Sequence, residues 1–215
     1  MSGGKVEDGI SVQQGPITIS GGQISGAASY GSNAVDVLSS AVITGGTFIG
    51  GNSSTYAGSA VVGSAGTGYL PGNPIGVPLV STLKISGGTF IGGTGPGEYY
   101  GGTTGYSLIS IGNTTVTGGK FQSPIAINGS YGGETDFIGK SLTYQNGILS
   151  GLLQNGDPIH VQIYTDFTNA TVNSTGTEVS FLPSGTAPSP APIPEPTSAW
   201  IFGLLALLGI ARRRV

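Results

Sequence analysis

The apolar residues of this chain recur in one short pattern. Ile19-Ser20-Gly21-Gly22-Gln23-Ile24, Ile43-Thr44-Gly45-Gly46-Thr47-Phe48, Ile85-Ser86-Gly87-Gly88-Thr89-Phe90 and Val116-Thr117-Gly118-Gly119-Lys120-Phe121 share one order: a β-branched residue, Ser or Thr, two glycines, a variable residue, then Phe or Ile. Two copies run on into Ile49-Gly50-Gly51 and Ile91-Gly92-Gly93. A second apolar position lies eight residues ahead of three anchors: Val35 before Ile43, Val77 before Ile85 and Leu108 before Val116. Fixed offsets of this kind mark a repeat architecture. Side chains alternate along a strand, so Ile85 and Phe90 would face opposite ways in one straight strand. For both to reach a core, the chain must bend at Gly87-Gly88, where glycine supplies the positive φ of a corner. Each copy therefore reads as strand, corner, strand.

The anchors fall at 19, 43, 85 and 116, in steps of 24, 42 and 31 residues. The first step fits one coil of a solenoid. The second fits two coils, or one coil with a loop at 52–76, and the third fits a coil with an insertion at 93–104. The expected fold of residues 1–182 is all-β, a right-handed parallel β-helix. An irregular β-sandwich with Gly-rich turns is the alternative. Beyond Ser123 the pattern changes. Ser141-Leu142-Thr143-Tyr144 and the run from Gly147 to Leu153 read as strands, with turns at Asn146-Gly147 and Asn155-Gly156-Asp157-Pro158. Ile159-His160-Val161-Gln162-Ile163-Tyr164 alternates apolar and polar, as a strand with one wet face does. Residues 139–182 are thus expected to form the C-terminal coils and cap. Residues 183–193, rich in Pro, Ser and Ala, read as an extended spacer.

Residues 194–215 have a different character. Pro194-Glu195-Pro196 comes first, then the uncharged run Ala199–Ala211, then Arg212-Arg213-Arg214. The run is 13 residues long, ~20 Å as a helix, against a bilayer core of ~30 Å. Its flanks favour a membrane: Trp200 stands where an interfacial aromatic belongs, and the arginines mark a cytoplasmic end. Arginine side chains also snorkel, which shortens the apolar length required. A helix over 198–211 is expected, anchored by Trp200, Ile201, Phe202, Leu204, Leu205, Leu207, Leu208 and Ile210. The order of Pro194-Glu195-Pro196, apolar helix and Arg212-Arg213-Arg214 resembles the PEP-CTERM sorting signal of exported bacterial proteins. The resemblance implies recognition by an exosortase-type membrane protease, with cleavage near the Pro-Glu-Pro motif. It also implies passage through the inner membrane of a Gram-negative-type bacterium to the cell surface or extracellular matrix, with an exopolysaccharide as a further partner.

Composition narrows the chemistry. Glycine makes up 41 of 215 residues, and charged residues are 8% of the chain, against about a quarter ordinarily. Ahead of Pro194 there are four lysines, no arginine and nine acids, a net charge of −5. Such a surface neutralises no phosphates, which argues against nucleic acid. With no cysteine, disulfides and thiolate metal sites are ruled out, and no cofactor or metal is expected. Glycoside hydrolysis needs two carboxylates ~5–10 Å apart. Glu134 and Asp136 would share a face on a strand, but Tyr131-Gly132-Gly133-Glu134-Thr135-Asp136 reads as a loop. His160, the one histidine, lies on the polar face of its strand without an evident Ser or Asp partner. Tyr99, Tyr100 and Tyr106 sit in a Gly-rich insertion, where they would stack on sugars or pack the loop down. Asn52, Asn113, Asn128, Asn169 and Asn173 head glycosylation-type triplets, a weak sign of exposure. Met1–Asp8 contains no apolar signal-peptide core. Because repeat-like sequence begins almost at once, further N-terminal coils and a signal peptide are expected upstream. The body is thus expected to be non-catalytic, with a polysaccharide-degrading β-helix enzyme as the alternative.

Overall fold

A computed structural model describes residues 1–27, 32–53, 57–63, 65–66, 79–95, 104–128, 133–165 and 170–182. The described residues form an all-β structure without helix. The strands are, in chain order, β1 (Lys5–Val6), β2 (Ile10–Val12), β3 (Pro16–Ser25), β4 (Val35–Val37), β5 (Ser40–Ile49) and β6 (Val61–Gly63). Then come β7 (Ala65–Gly66), β8 (Leu79–Val80), β9 (Thr82–Ile91), β10 (Leu108–Ser110), β11 (Asn113–Phe121) and β12 (Ile125–Ile127). The last are β13 (Thr135–Gln145), β14 (Ile148–Leu153), β15 (Pro158–Thr165), β16 (Ala170–Val172) and β17 (Glu178–Phe181). Hydrogen-bonded neighbours follow the path β1-β3-β5-β9-β11-β13-β14-β15-β12-β10-β6-β4-β2.

Each repeat supplies one short and one long strand, and both pair in parallel with their counterparts in the next repeat. On the long strands Ile19, Ile43, Ile85, Val116 and Phe137 stand in one register. Val6, Ile24, Phe48, Phe90 and Phe121 stand in another. On the short strands Ile10, Val35, Val61, Leu108, Ile125 and Ile163 stand in a third. The three rows meet in one core, where Ile19, Ile43, Ile85, Val116, Val35, Val61 and Leu108 are all buried. Stacking brings the ring centres of Phe48 and Phe90 to 5.1 Å and those of Phe90 and Phe121 to 5.0 Å, with the ring planes nearly parallel. Burial of the Phe48 and Phe90 rings is worth ~1.5–3 kcal/mol each, and each stacked pair adds ~0.5–1.5 kcal/mol.

The corner at the glycine pair is real, but it does not break the strand. Ile43 and Phe48 are both buried, as the parity argument requires. The ladder slips at the glycines and resumes at Gln23, Thr47, Thr89 and Lys120, so each copy is one bulged strand instead of two. The two glycines differ in role. Gly88 has φ +110°, a conformation that reverses the alternation of the pleat. Gly87 instead permits close approach: a β-carbon there would stand 2.5 Å from the Thr44 carbonyl oxygen of the preceding repeat.

Three further points revise the expected repeat map. Met1-Ser2-Gly3-Gly4-Lys5-Val6 is another copy, with Met1 in the anchor position: Ser20 N–H donates to the Met1 carbonyl at 2.8 Å, and Lys5 and Val6 pair with Gln23 and Ile24. The short-strand partner in the long repeat is Val61, not Val77, which lies outside the described residues. Strand β6 therefore occupies part of the 52–76 stretch expected to be loop, and the extra length follows it, framed by the antiparallel pair β7–β8. Finally, Ile125-Ala126-Ile127 and Thr135-Asp136-Phe137 form one more repeat, in which no glycine pair follows the anchor position Phe137. The bridge between Thr94 and Thr104 frames the other insertion.

At Gly139 strand β13 leaves the stack and pairs antiparallel with β14. The turn between them is Asn146-Gly147, with φ of 52° and 78°, the geometry expected of a two-residue hairpin. Ile159, Val161 and Ile163 of β15 face the core, while His160 is exposed. Strand β17 closes the other edge of β13.

Close approach at the glycine pair gives a direct test. Gly87→Ala should destabilise the protein by about 1–3 kcal/mol, the range of an overpacked core. Gly3→Ala, with open space around its added carbon, should change stability by less than about 0.5 kcal/mol. Urea midpoints of the two variants compare them.

Candidate functional site

The sorting residues Pro194, Glu195 and Pro196, the helix expected over 198–211 and Arg212, Arg213 and Arg214 lie outside the described residues. Among the described residues, no helix is long and apolar enough to cross a membrane. The chemistry of the described body gathers at its C-terminal end, where the parallel stack gives way to antiparallel strands.

Asp136 lies within β13, paired with Thr115 of β11 on one side and Ser180 of β17 on the other. This corrects the expectation that Asp136 lies in a loop. Glu134 immediately precedes β13, its N–H donating to Asn113 Oδ1 at 3.1 Å. The antiparallel register of β17 places Glu178 opposite Ile138, two positions beyond Asp136. Burial pushes the Glu134 carboxyl above its ordinary range, and the charges of Asp136 and Glu178 push it the same way. Asp136 Oδ1 is shielded from water without a hydrogen-bond partner. Glu134 and Asp136 thus do share a neighbourhood, and Glu178 joins them. The described residues hold no group of three or more His, Cys, Asp or Glu arranged to bind a metal ion.

The reading of His160 as unpartnered is overturned. Its Nδ1 lies 2.8 Å from Ser150 Oγ, because Ser150 and His160 face each other across the β14–β15 pair. The pair is exposed. A hydrolytic centre also needs a group that orients the imidazole and donors for an oxyanion. Neither accompanies this pair among the hydrogen bonds of the described residues. Its geometry is that of a cross-strand polar contact.

Asp157 is held by two donors. Its Oδ2 accepts the Gly119 N–H at 2.8 Å and the Asn155 side-chain amide at 2.6 Å. The Asn155 bond holds its carboxyl below the ordinary range, with help from Gly119 and the charge of Lys120. Asp36 behaves oppositely: burial raises its carboxyl, and the hydrogen bond from Asn33 at 2.9 Å only partly offsets this.

Tyr106 settles between the two roles considered for it. It is buried and packs edge-on against Tyr164 at 6.1 Å, beside Val62, Ile109, Ile111 and Ala126 on the far side of the short strands. It pins its loop to the sheet. Tyr99 and Tyr100 lie outside the described residues. Of the glycosylation-type asparagines, Asn52, Asn113 and Asn173 spend their side-chain oxygens on backbone N–H groups. Asn169 lies outside the described residues. Sequence alone did not associate Glu178 with Glu134, or Ser150 with His160. Both depend on antiparallel registers: the Asn155-Gly156-Asp157-Pro158 turn, which joins the strands that carry Ser150 and His160, was explicit in the chain, whereas the pairing of β17 with β13 was not.

The raised Glu134 carboxyl has a definite sign. In the folded state it holds its proton to higher pH than in the unfolded chain, so its contribution falls as pH rises through the window just above the ordinary Glu value. Glu134→Gln should therefore raise the melting temperature at pH 7, and the gain should vanish as pH drops below that window. Thermal melts from pH 3 to pH 7 check this.

The chain was compared with protein-family models, with curated protein sequences and with solved structures, and none of them matches it.

Proposed function

We propose that this chain is a non-catalytic, exported surface or extracellular-matrix protein, delivered and processed through its C-terminal tail. The observation that carries the reading is the order of three elements within residues 194–214: Pro-Glu-Pro, an uncharged apolar run and three arginines. Each has a physical task in a transient membrane handle. The proline-rich spacer presents the motif, the short apolar run holds it at the membrane, and the arginines fix its orientation. With 13 uncharged residues from Ala199 to Ala211, the run is short for a permanent span. That suits a segment recognised by an exosortase-type protease and removed.

The body supports the same reading. Its parallel registers run through successive repeats, and we read them as the coils of a right-handed β-helix. Such a stack builds an extended surface from short repeats, each held by its neighbours. That is a fit scaffold for a structural or adhesive role beside an exopolysaccharide. The clustering of Glu134, Asp136 and Glu178 favours a second reading, a β-helix enzyme that cleaves polysaccharide.

Mass spectrometry of the protein purified from its host envelope tests the tail. A C-terminal peptide ending near Pro194–Pro196 is expected; an intact terminus through Val215 on the mature protein would sink processing. Glu134→Gln/Asp136→Asn separates the two readings of the body. No sugar release from host polysaccharide by either form is expected, and release by the wild type that the variant loses would establish the enzyme.

A further inference from the structure

Three asparagines of the chain are followed directly by glycine: Asn128, Asn146 and Asn155. Such a pair carries its own chemistry. The backbone nitrogen after the asparagine can attack the side-chain amide carbon, and glycine has no side chain to obstruct it. The two groups must meet face to face, so the local fold decides which pair reacts. Gly129 lies outside the described residues, which leaves two pairs to compare. Asn146 and Asn155 are both exposed, so access to water does not separate them. Hydrogen bonding does. Asn155 Nδ2 donates to the Ser86 carbonyl at 3.2 Å and to Asp157 Oδ2 at 2.6 Å, and its Oδ1 accepts the Asp157 N–H at 2.8 Å. The Gly156 N–H, the group that would attack, donates to the Leu153 carbonyl at 2.9 Å. Among the described residues no hydrogen bond engages the Asn146 side chain or the peptide group that joins it to Gly147.

That peptide is the centre of a two-residue turn with positive φ at both residues, the type I′ pattern. Rotating it converts the turn to type II′, in which the first residue keeps its positive φ and takes a ψ of about −120°. At this ψ the Gly147 nitrogen lies on the same side as the Asn146 side chain. The anchors of the turn survive the rotation. Ile163 N–H and Gln162 Nε2 donate to the Gly147 carbonyl at 2.7 and 2.9 Å, and this carbonyl belongs to the next peptide. We propose that Asn146 is a site of spontaneous deamidation, in which the Gly147 nitrogen closes on Asn146 Cγ. The Gly147 nitrogen gives up its proton, the side-chain amide leaves as ammonia, and water then opens the ring at either carbonyl. Aspartate or isoaspartate remains at position 146. Isoaspartate routes the backbone through its side chain and so lengthens the turn by one carbon. A two-residue turn sets the register of β13 against β14. The longer turn therefore releases the Gly147 carbonyl from Ile163 and loosens that end of β15. The inference rests on the body and is independent of the fate of the tail.

The test incubates the full chain in mildly alkaline, detergent-containing buffer, once folded and once unfolded in urea. Peptide mapping by mass spectrometry follows conversion at each asparagine. In the folded chain Asn146 is expected to convert at least about tenfold faster than Asn155, whose hydrogen bonds must break before attack. In urea the two should convert at similar rates, because both are then open asparagine–glycine pairs. Comparable rates in the folded chain overturn the proposal. So does an unconverted Asn146 over a period in which the unfolded chain converts fully. A difference in urea as large as that in the folded chain also overturns it, because the sequence and not the fold would then set the rates. Hydrogen exchange on the isoaspartate form reads the consequence. The Ile163 amide should exchange faster there than in the unconverted protein, and an unchanged rate overturns the loosening of β15.

Discussion

The fold depends on how closely one repeat can approach the next. Neighbouring strands in a sheet lie ~4.8 Å apart, and at each bend that spacing leaves no room for a side chain. A β-carbon on Gly45 would lie 2.7 Å from the Ser20 carbonyl oxygen, and one on Gly87 would lie 2.5 Å from that of Thr44. Only glycine admits the contact, and the glycine that follows supplies the positive φ that turns the next side chain inward. This single constraint gives the stack its Phe ladder. Because the bend inverts the alternation, Phe48 and Phe90 join Ile43 and Ile85 in the core instead of facing water. A glycine count that would otherwise suggest a disordered chain is largely the signature of repeated close contact.

The regular part of this architecture was legible in the chain. Five-residue spacing of Ile and Phe around a glycine pair demanded a bend, and the alternation from Ile159 to Tyr164 described β15 well. What stayed hidden did so for physical reasons. In Met1–Val6 an unbranched Met replaces the β-branched anchor. In the repeat from Ile125 to Phe137 no glycine pair follows the anchor, because β13 leaves the stack before a bend is needed. Val77 satisfied the offset rule of the other repeats, yet the extra chain after β6 places Val61 in that register. A fixed offset fails wherever an insertion falls between the two strands that it connects.

The candidate site follows from the same break in symmetry. Within the stack, each outward position is flanked by the corresponding positions of neighbouring repeats, as in the row Thr18, Val42, Lys84 and Thr115. At its end, antiparallel strands bring together residues that the repeat never pairs. Glu134, Asp136 and Glu178 converge there, as do Ser150 and His160, and Asp157 docks onto Gly119. The body therefore divides into a repetitive wall and a terminus that carries its unusual chemistry. Our reading assigns the wall to display at the cell surface and the tail to delivery.

The central claim is the parallel register of successive repeats, and the absence of cysteine from the chain makes it directly measurable. Val42 and Lys84 are paired across β5 and β9, and both are exposed. Cysteines at these two positions, treated with a short thiol–thiol cross-linking reagent, should be bridged rapidly within one molecule. Cysteines at Val42 and Thr89, separated by the bend, should not. Bridging of the second pair with none of the first would contradict the register, and with it the stacked fold.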